Sequence, residues 1–206
     1  MRQVNWEDWD RKELFDYFSK LSQPFYSVTF AVDVTDLYRF TKANRLSFYY
    51  SLVYLCTKAI NHVEAFRYMV DRGNLFLLDQ RISSFRDLKP GSESFHIVTM
   101  PCGNDIGTFC RTAREKSLAQ TTFLDRAAEG IDLIHFSCLP WVEVTGLTND
   151  RDFDPDDAIP RVAWGKYTEE NGRKKLHISL ELNHRFTDGL HIGRFYEELC
   201  RLMAEL

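Results

Sequence analysis

The chain has 206 residues, and 26 Lys and Arg against 30 Asp and Glu leave a formal charge of −4. With 44% hydrophobic and 27% charged residues, this is the composition of a globular protein. Its 16 Phe, 9 Tyr and 4 Trp exclude a disordered or collagen-like chain, and the lack of a basic excess speaks against a nucleic-acid partner, whose phosphates would need neutralising.

No run of about 18 apolar residues is present to cross a membrane, and the polar, acidic stretch Met1 to Asp8 has no apolar signal core. No membrane association and a cytoplasmic location are expected. The five cysteines (Cys56, Cys102, Cys110, Cys138 and Cys200) are widely spaced with no C-x-x-C, so they read as reduced, mostly core residues, and no metal site is expected. No repeat or low-complexity run divides the chain, so a single domain over residues 1–206 is expected.

In chain order, Leu14, Phe15, Phe18 and Leu21 fall at helical spacing and predict a helix from Arg11 to Leu21 capped by Asp10. Phe25 to Val34 is aromatic and β-branched, hence a strand. Thr35 to Asn44 reads as a short helix. Ser47 to His62 reads as a long helix, apolar on most sides and therefore buried, with Ser47 as its cap. Phe66–Val70 and Leu75–Leu78 flank Asp71-Arg72-Gly73-Asn74, a hairpin turn. Further strands are expected at Phe95–Thr99, Ile131–Phe136, Trp141–Val144, Arg161–Tyr167 and Lys175–Leu182, the last two joined through an Asn171-Gly172 turn. Helices are expected at Asn104–Ala119 and from Gly189 to about Glu205. Alternating helices and strands with hairpins among them imply an α/β sandwich on a mixed sheet, with helices on one face.

The segment from Leu176 to Gly189 carries the most chemistry. Leu176, Ile178, Leu180 and Leu182 alternate onto one strand face, and the chain then turns into a helix, a corner that exposes a side chain on a rigid support. His184 lies just past the strand and Asp188 at the helix start. An imidazole with a pKa near about 6.5 is the natural neutral-pH base for a hydroxyl or thiol proton. Spacing alone leaves two readings: a base beside an orienting carboxylate, or a half-buried histidine beside a helix cap. His177 faces the other side of the strand, and His191 sits one turn into the helix with no partner expected nearby.

Asn183-His184-Arg185-Phe186-Thr187-Asp188-Gly189 resembles the H-H-x-x-x-D-G motif of chloramphenicol acetyltransferases, and Leu190-His191-Ile192-Gly193-Arg194-Phe195 is similar to the F-H-V-G-R run that follows it in that family. Other landmarks come in the same order. Trp9-Asp10-Arg11-Lys12-Glu13-Leu14-Phe15 resembles W-x-R-x-x-x-F, Ser47-Phe48-Tyr49 resembles K-F-Y, and Glu64-Ala65-Phe66-Arg67-Tyr68 resembles E-F-R-M. Leu139-Pro140-Trp141-Val142 matches N/L-P-W-V, and Gly165-Lys166-Tyr167 matches G/A-K-Y. The resemblance runs from Asn5 to Leu202.

It implies a two-layer α/β sandwich with a mixed β-sheet, and an enzyme that moves an acetyl group from acetyl-CoA, a cosubstrate, to a small-molecule hydroxyl such as that of an antibiotic. It also implies a homotrimer with active sites at the subunit interfaces and no metal. By the same resemblance His184 is the general base, and Asp188 is structural, paired with a buried arginine at Arg11. Lys166 and Tyr167 match positions near coenzyme A, Tyr49 matches another on the coenzyme side, and Tyr26 lies near the acceptor pocket.

Three positions depart from the family pattern. The serine that donates to the tetrahedral intermediate is Gly146 here, a threonine is Ala163, and the first histidine of the pair is Asn183. Losing one oxyanion donor costs about 10²–10³ in turnover, so Thr145, Thr148 or a backbone N–H is expected to substitute, unless the chain is a catalytically weak small-molecule binder. Glu143, beside the pocket wall, favours a cationic acceptor or is a solvated edge charge. Asn183-His184-Arg185 also resembles the D-H-R-x-x-D-G motif of dihydrolipoamide acyltransferases, so another acceptor is the alternative.

Overall fold

The computed structural model describes residues 1–152 and 154–206. The chain opens with strand β1 (Arg2–Val4) and helix α1 (Lys12–Phe18), followed by β2 (Phe25–Asp33), α2 (Thr35–Ala43) and α3 (Phe48–His62). Next come the hairpin of β3 (Tyr68–Asp71) and β4 (Asn74–Leu77), then β5 (Ile82–Leu88), β6 (Phe95–Met100) and α4 (Ile106–Ala119). β7 (Leu133–Cys138), β8 (Arg161–Trp164), β9 (Thr168–Glu170), β10 (Arg173–Asn183) and α5 (Gly189–Ala204) complete it.

The large sheet runs β2-β10-β8-β7-β5-β6, with β9 on the N-terminal part of β10. β5, β7 and β8 are mutually parallel and the other pairs antiparallel, so the sheet is mixed, as the sequence pattern implies. A second, antiparallel sheet joins β1, β4 and β3. The apolar row Leu176, Ile178, Leu180 and Leu182 of β10 enters the main core with Trp164, Phe85 and Phe136. Helices α2 to α5 cover that face, with α3 in the middle touching α2, α4 and α5. Helix α3 buries nine of its residues from Ser51 to Ile60, which its apolar character all round requires. A smaller cluster, Trp9, Phe15, Val70, Leu75 and Phe186, joins α1 and the small sheet to the end of β10.

Local signals hold where the chemistry is short-range. Ser47 caps α3 by accepting from the Tyr50 N–H at 3.3 Å, and Asp105 caps α4 through Thr108 N at 2.7 Å. Both hairpin turns carry two successive positive-φ residues, Arg72-Gly73 and Asn171-Gly172, whose twist suits tight antiparallel pairs.

Four expectations are corrected. Helix α1 starts at Lys12 with Arg11 at its cap, not Asp10, and ends at Phe18, because Ser19 closes it and Arg11 turns toward the end of β10. Trp141–Val144 is not a strand: Val142 N folds back to Leu139 O at 3.3 Å, and Trp141 is 72% exposed. The strands β1 and β5 were not expected, since Arg2-Gln3-Val4 and Ser83-Ser84 carry little apolar alternation; pairing with β4, β6 and β7 makes them strands. His191 has a close partner, Asp188, at 3.0 Å.

The outer face of the large sheet is largely polar, and the part that β10 contributes is covered. Ser179, Glu181 and Asn183 alternate with the core leucines of β10 and are all buried. No helix among the described residues is long and apolar enough to cross a membrane.

One buried charge pins the two sheets together. Arg81 is fully buried and donates to the carbonyls of Phe66, Tyr68, Ile131, Leu133 and Ala158. Desolvation lowers its pKa to about 10, still charged at neutral pH. Replacing Arg81 by Leu strands these acceptors, each worth about 1–3 kcal/mol when left unsatisfied. Urea denaturation is expected to show a loss of at least about 4 kcal/mol; a loss under about 1 kcal/mol would contradict the assignment.

Candidate active site

Strand β10 ends with Asn183 opposite Phe25 of β2, and the His184 N–H donates to Pro24 O at 2.7 Å. The His184 ring packs between Phe18 and Tyr26, with ring centroids 3.9 and 4.5 Å away. Burial first, and then the charge of Arg11, lowers its pKa below the ordinary 6.5, against smaller opposing effects of its own carbonyl and of Asp188. The ring is therefore neutral at neutral pH and able to accept a proton. Nδ1 is buried without a hydrogen-bond partner among the described residues, which leaves Nε2 as the accessible nitrogen.

The corner that aims this ring is tied down by Arg11. Its Nη1 binds Asp188 Oδ2 at 2.6 Å, its Nη2 donates to the carbonyl of His184 at 3.0 Å, and its Nε donates to that of Arg185 at 3.1 Å. The planar guanidinium thus reads two carbonyls and a carboxylate at once, which a lysine cannot do. Asp188 also caps α5: its Oδ1 accepts from Leu190 N at 3.1 Å, while His191 Nδ1 accepts from the Asp188 N–H at 3.0 Å, a reciprocal capping box. Burial alone would raise the Asp188 carboxyl, but the hydrogen bond and charge of Arg11, with the Leu190 N–H, hold it below its usual range. One side chain, Asp188, thus both caps α5 and pairs with Arg11.

The flanking residues fix the other side. Asn183 Nδ2 donates to Pro155 O at 2.8 Å and Asp157 O at 3.0 Å, and its Oδ1 accepts from Arg185 N at 3.0 Å. Arg185 binds Asp156 Oδ1 at 2.8 Å and Ser19 Oγ at 2.9 Å, with its guanidinium 4.0 Å over Phe15. Tyr26 adds a hydroxyl 3.5 Å from Thr187 Oγ1 and lines a cavity of about 450 Å³ with Ser27, Thr148, Asn149, Arg151 and Glu181.

Lys166, Tyr167, Tyr49 and Thr145 do not join this corner within one chain. Trp164 pairs with Ile178, six residues before His184, so at about 3.3 Å per residue the ring lies about 20 Å along the sheet from the end of β8. Tyr49 is there, with its hydroxyl donating to Arg86 O at 2.5 Å, in a mostly aromatic and aliphatic groove of about 510 Å³ with Tyr50, Leu88, Leu118, Cys138 and Trp141. Lys166 is exposed, and its N–H donates to Val142 O at 2.7 Å. Gly165 makes that approach possible, because a Cβ there would meet Val142 O at 2.6 Å and Val144 N at 2.9 Å. Tyr167 packs against Tyr38 and Phe48. Thr145 and Glu143 are exposed.

Sequence reasoning missed a hydroxyl pair. Thr29 Oγ1 and Ser179 Oγ are 2.7 Å apart. Thr29 Oγ1 is the nearest atom, at 3.9 Å, to a Cβ placed on Gly146, and Ala163 is the register partner of Ser179. Two of the three departures from the family pattern, Gly146 and Ala163, thus border this hydroxyl pair. The available signal was a serine on the polar side of a strand buried on both faces. Among the described residues no three His, Cys, Asp or Glu side chains converge as metal ligands.

Arg11→Met removes the charge partner of Asp188 and two carbonyl contacts, whereas Asp188→Asn keeps the carbonyl contacts. Urea denaturation should show a loss of about 3 kcal/mol for the first and about 1–2 kcal/mol for the second. Equal losses would show that the carbonyl contacts contribute nothing.

A family model described as chloramphenicol acetyltransferase matches residues 1–200. A chloramphenicol acetyltransferase of Clostridium perfringens is 28% identical over 205 residues, covering 98% of this chain and 94% of its own. A solved chloramphenicol acetyltransferase structure superposes with a TM-score of 0.88 at 27% identity, covering 98% of this chain and 100% of the other. The dihydrolipoamide acetyltransferase of Azotobacter vinelandii shares the fold, with a TM-score of 0.72 at 18% identity over 94% of this chain and 86% of the other. A match that runs through nearly the whole chain, including the corner around His184, means that the chain belongs to the chloramphenicol acetyltransferase family.

Proposed function

We propose that the protein transfers an acetyl group from acetyl-CoA to a hydroxyl of a small molecule, with His184 as general base. The observation that carries this reading is the neutral, half-buried imidazole with an accessible Nε2, on a corner that Arg11 and Asp188 hold in place. His184 Nε2 takes the hydroxyl proton as the acceptor oxygen attacks the thioester carbonyl carbon. The carbon–oxygen bond forms, the carbon–sulfur bond breaks, and the imidazolium returns its proton to the departing thiolate. Asp188 does not take the proton; it orients the corner, as carboxylates in other catalytic arrays do.

Coenzyme A would supply the activated acyl group as a thioester. Tyr49 and its groove fit an extended, largely apolar arm, and the exposed cation of Lys166 fits a phosphate-bearing molecule. Tyr167 is assigned to the same side. Because these residues and His184 lie about 20 Å apart along the sheet of one chain, the reading requires His184 of one copy to meet the groove of another. Each chain then gives its base to one neighbour and its groove to the other, a head-to-tail contact that closes into a ring. A homotrimer is proposed on this ground together with the family resemblance.

The developing oxyanion needs a donor in place of the family serine. Thr29 and Ser179 are assigned this role in preference to Thr145, since their hydroxyls border the space at Gly146 and Ala163. Tyr26 is assigned to the acceptor side.

Thiol release from acetyl-CoA in the presence of chloramphenicol or another hydroxylated acceptor tests the reading. His184→Ala should lower turnover by about 10³ or more; equal rates would sink the proposal. Because the folded imidazole titrates below the ordinary value, kcat/KM should stay flat through neutral pH and fall only below about pH 6.5. An acidic limb above that pH contradicts a base held in this environment. Thr29→Val with Ser179→Ala should cost about 10²–10³ in kcat with little change in KM, and Thr145→Ala far less.

A further inference from the structure

The acyl-transfer reading leaves one histidine of the catalytic corner unused. His191 is the third residue of α5, and its side chain is only 15% exposed. Its Nδ1 stands 3.0 Å from the Asp188 backbone nitrogen and 3.0 Å from Asp188 Oδ1. One nitrogen thus faces a donor and an acceptor at the same distance, and its own proton decides which of the two it satisfies. Neutral, with the proton on Nε2, it accepts the Asp188 N–H and closes the capping box. Protonated, it has no lone pair for that N–H and donates instead to Oδ1, which already accepts from Leu190 N at 3.1 Å.

The surroundings favour the neutral form. A cavity of about 410 Å³ brings Arg11, from the start of α1, and Arg194, from α5 itself, to the ring. Asp8 and Asp10, before α1, and Glu64, after α3, line the same cavity as exposed carboxylates that solvent screens. Tyr68 of β3 closes it, with its hydroxyl donating to Glu64 at 2.8 Å. Burial, opposed by Asp188 and aided by Arg11 and Arg194, lowers the His191 pKa below the ordinary 6.5.

The Asp188 N–H belongs to the last peptide of the His184 corner. On one side of it is Thr187, whose N–H and hydroxyl both donate to Asn183 O at 3.2 Å. On the other is the carboxylate that Arg11 binds. Loss of the acceptor at His191 frees this peptide. A second cation on Asp188 then competes with Arg11, whose fork also holds the His184 carbonyl. We infer that His191 is a positioning residue for the acetyl transfer, because only its neutral imidazole keeps the corner in the form that aims His184. The reaction then requires two neutral histidines, one that takes the acceptor's proton and one that touches no reactant. For the reaction this rests on the acyl-transfer reading; for the coupling of the two rings it rests on the capping box alone. Both neutral forms are complete at and above neutral pH and are lost as pH falls below about 6.5.

His191→Gln tests the inference, since Gln is a natural capping-box acceptor that cannot titrate. With thiol release from acetyl-CoA as the assay, the native acid limb of log kcat/KM between about pH 7 and 5 should be steeper than one proton, and that of His191→Gln no steeper than one. At about pH 8 the Gln variant should keep kcat within about threefold of native, whereas His191→Leu, which strands the Asp188 N–H, should lose about tenfold in kcat with the acetyl-CoA KM unchanged. If His191→Leu does not fold, the Gln comparison decides. Histidine-ring NMR without cosubstrate should show the His184 ring following two titrations in the native protein and one in His191→Gln. Equal acid limbs in the two proteins, or a His184 ring that follows one titration in both, overturns the inference. Two titrations on the His184 ring with no acetyl transfer by the native protein overturn the acyl-transfer reading instead and leave the coupling standing.

Discussion

The fork of Arg11 is the contact on which the rest of the site depends. It reaches from the start of α1 to three groups on the corner between β10 and α5, more than 170 residues away in sequence. Strand β10 is buried on both faces and α5 packs against α3, so the corner joins two rigid elements. A free turn there would let the His184 ring sample many directions. Holding both the carbonyl of His184 and the carboxylate of Asp188 removes that freedom, and Phe18 and Tyr26 then clamp the ring. A buried ion pair contributes little net stability, so its worth lies in the geometry it fixes.

The second constraint is the direction of the strands. β10 runs antiparallel to β8 and β2, while β5, β7 and β8 are parallel to each other. The C-terminal end of β10 is therefore at the opposite edge of the sheet from the ends of β7 and β8. Under the proposed acetyl transfer, His184 at one end of the sheet and the Tyr49 groove at the other come together only where two chains meet. Between them lies the outer face, where Thr29, Ser179, Ser137 and the arginines supply the polar chemistry that a two-sided apolar sheet would lack. The replacement of hydroxyl side chains by Gly146 and Ala163 is set beside hydroxyls that β2 and β10 bring to the same place.

The legible parts of the fold were those governed by short-range rules. The α3 and α4 helices, the Arg72-Gly73 and Asn171-Gly172 turns and the apolar row of β10 all follow from spacing of two to four residues. The strand β5 was not legible, because Ser83 and Ser84 look like a loop until β6 and β7 pair on both sides. Trp141–Val144 misled in the other direction: its apolar, aromatic content suits a strand, but the turn after Pro140 and the close packing on Gly165 leave it no partner to pair with.

For the site, the order of residues determined that a histidine and an aspartate would sit at a strand-to-helix corner, and the resemblance of the surrounding motifs named the family. Only the tertiary structure decided that Arg11 binds that corner, that His191 completes the cap on Asp188, and that Thr29 meets Ser179. It alone decided that Arg151 is buried over the Phe25 ring and beside the Glu181 carboxylate. The physical reason is range. Periodicity and capping act over a few residues, whereas ion pairs, register and desolvation join segments far apart in the chain, and no local pattern records which of two buried partners will face the other.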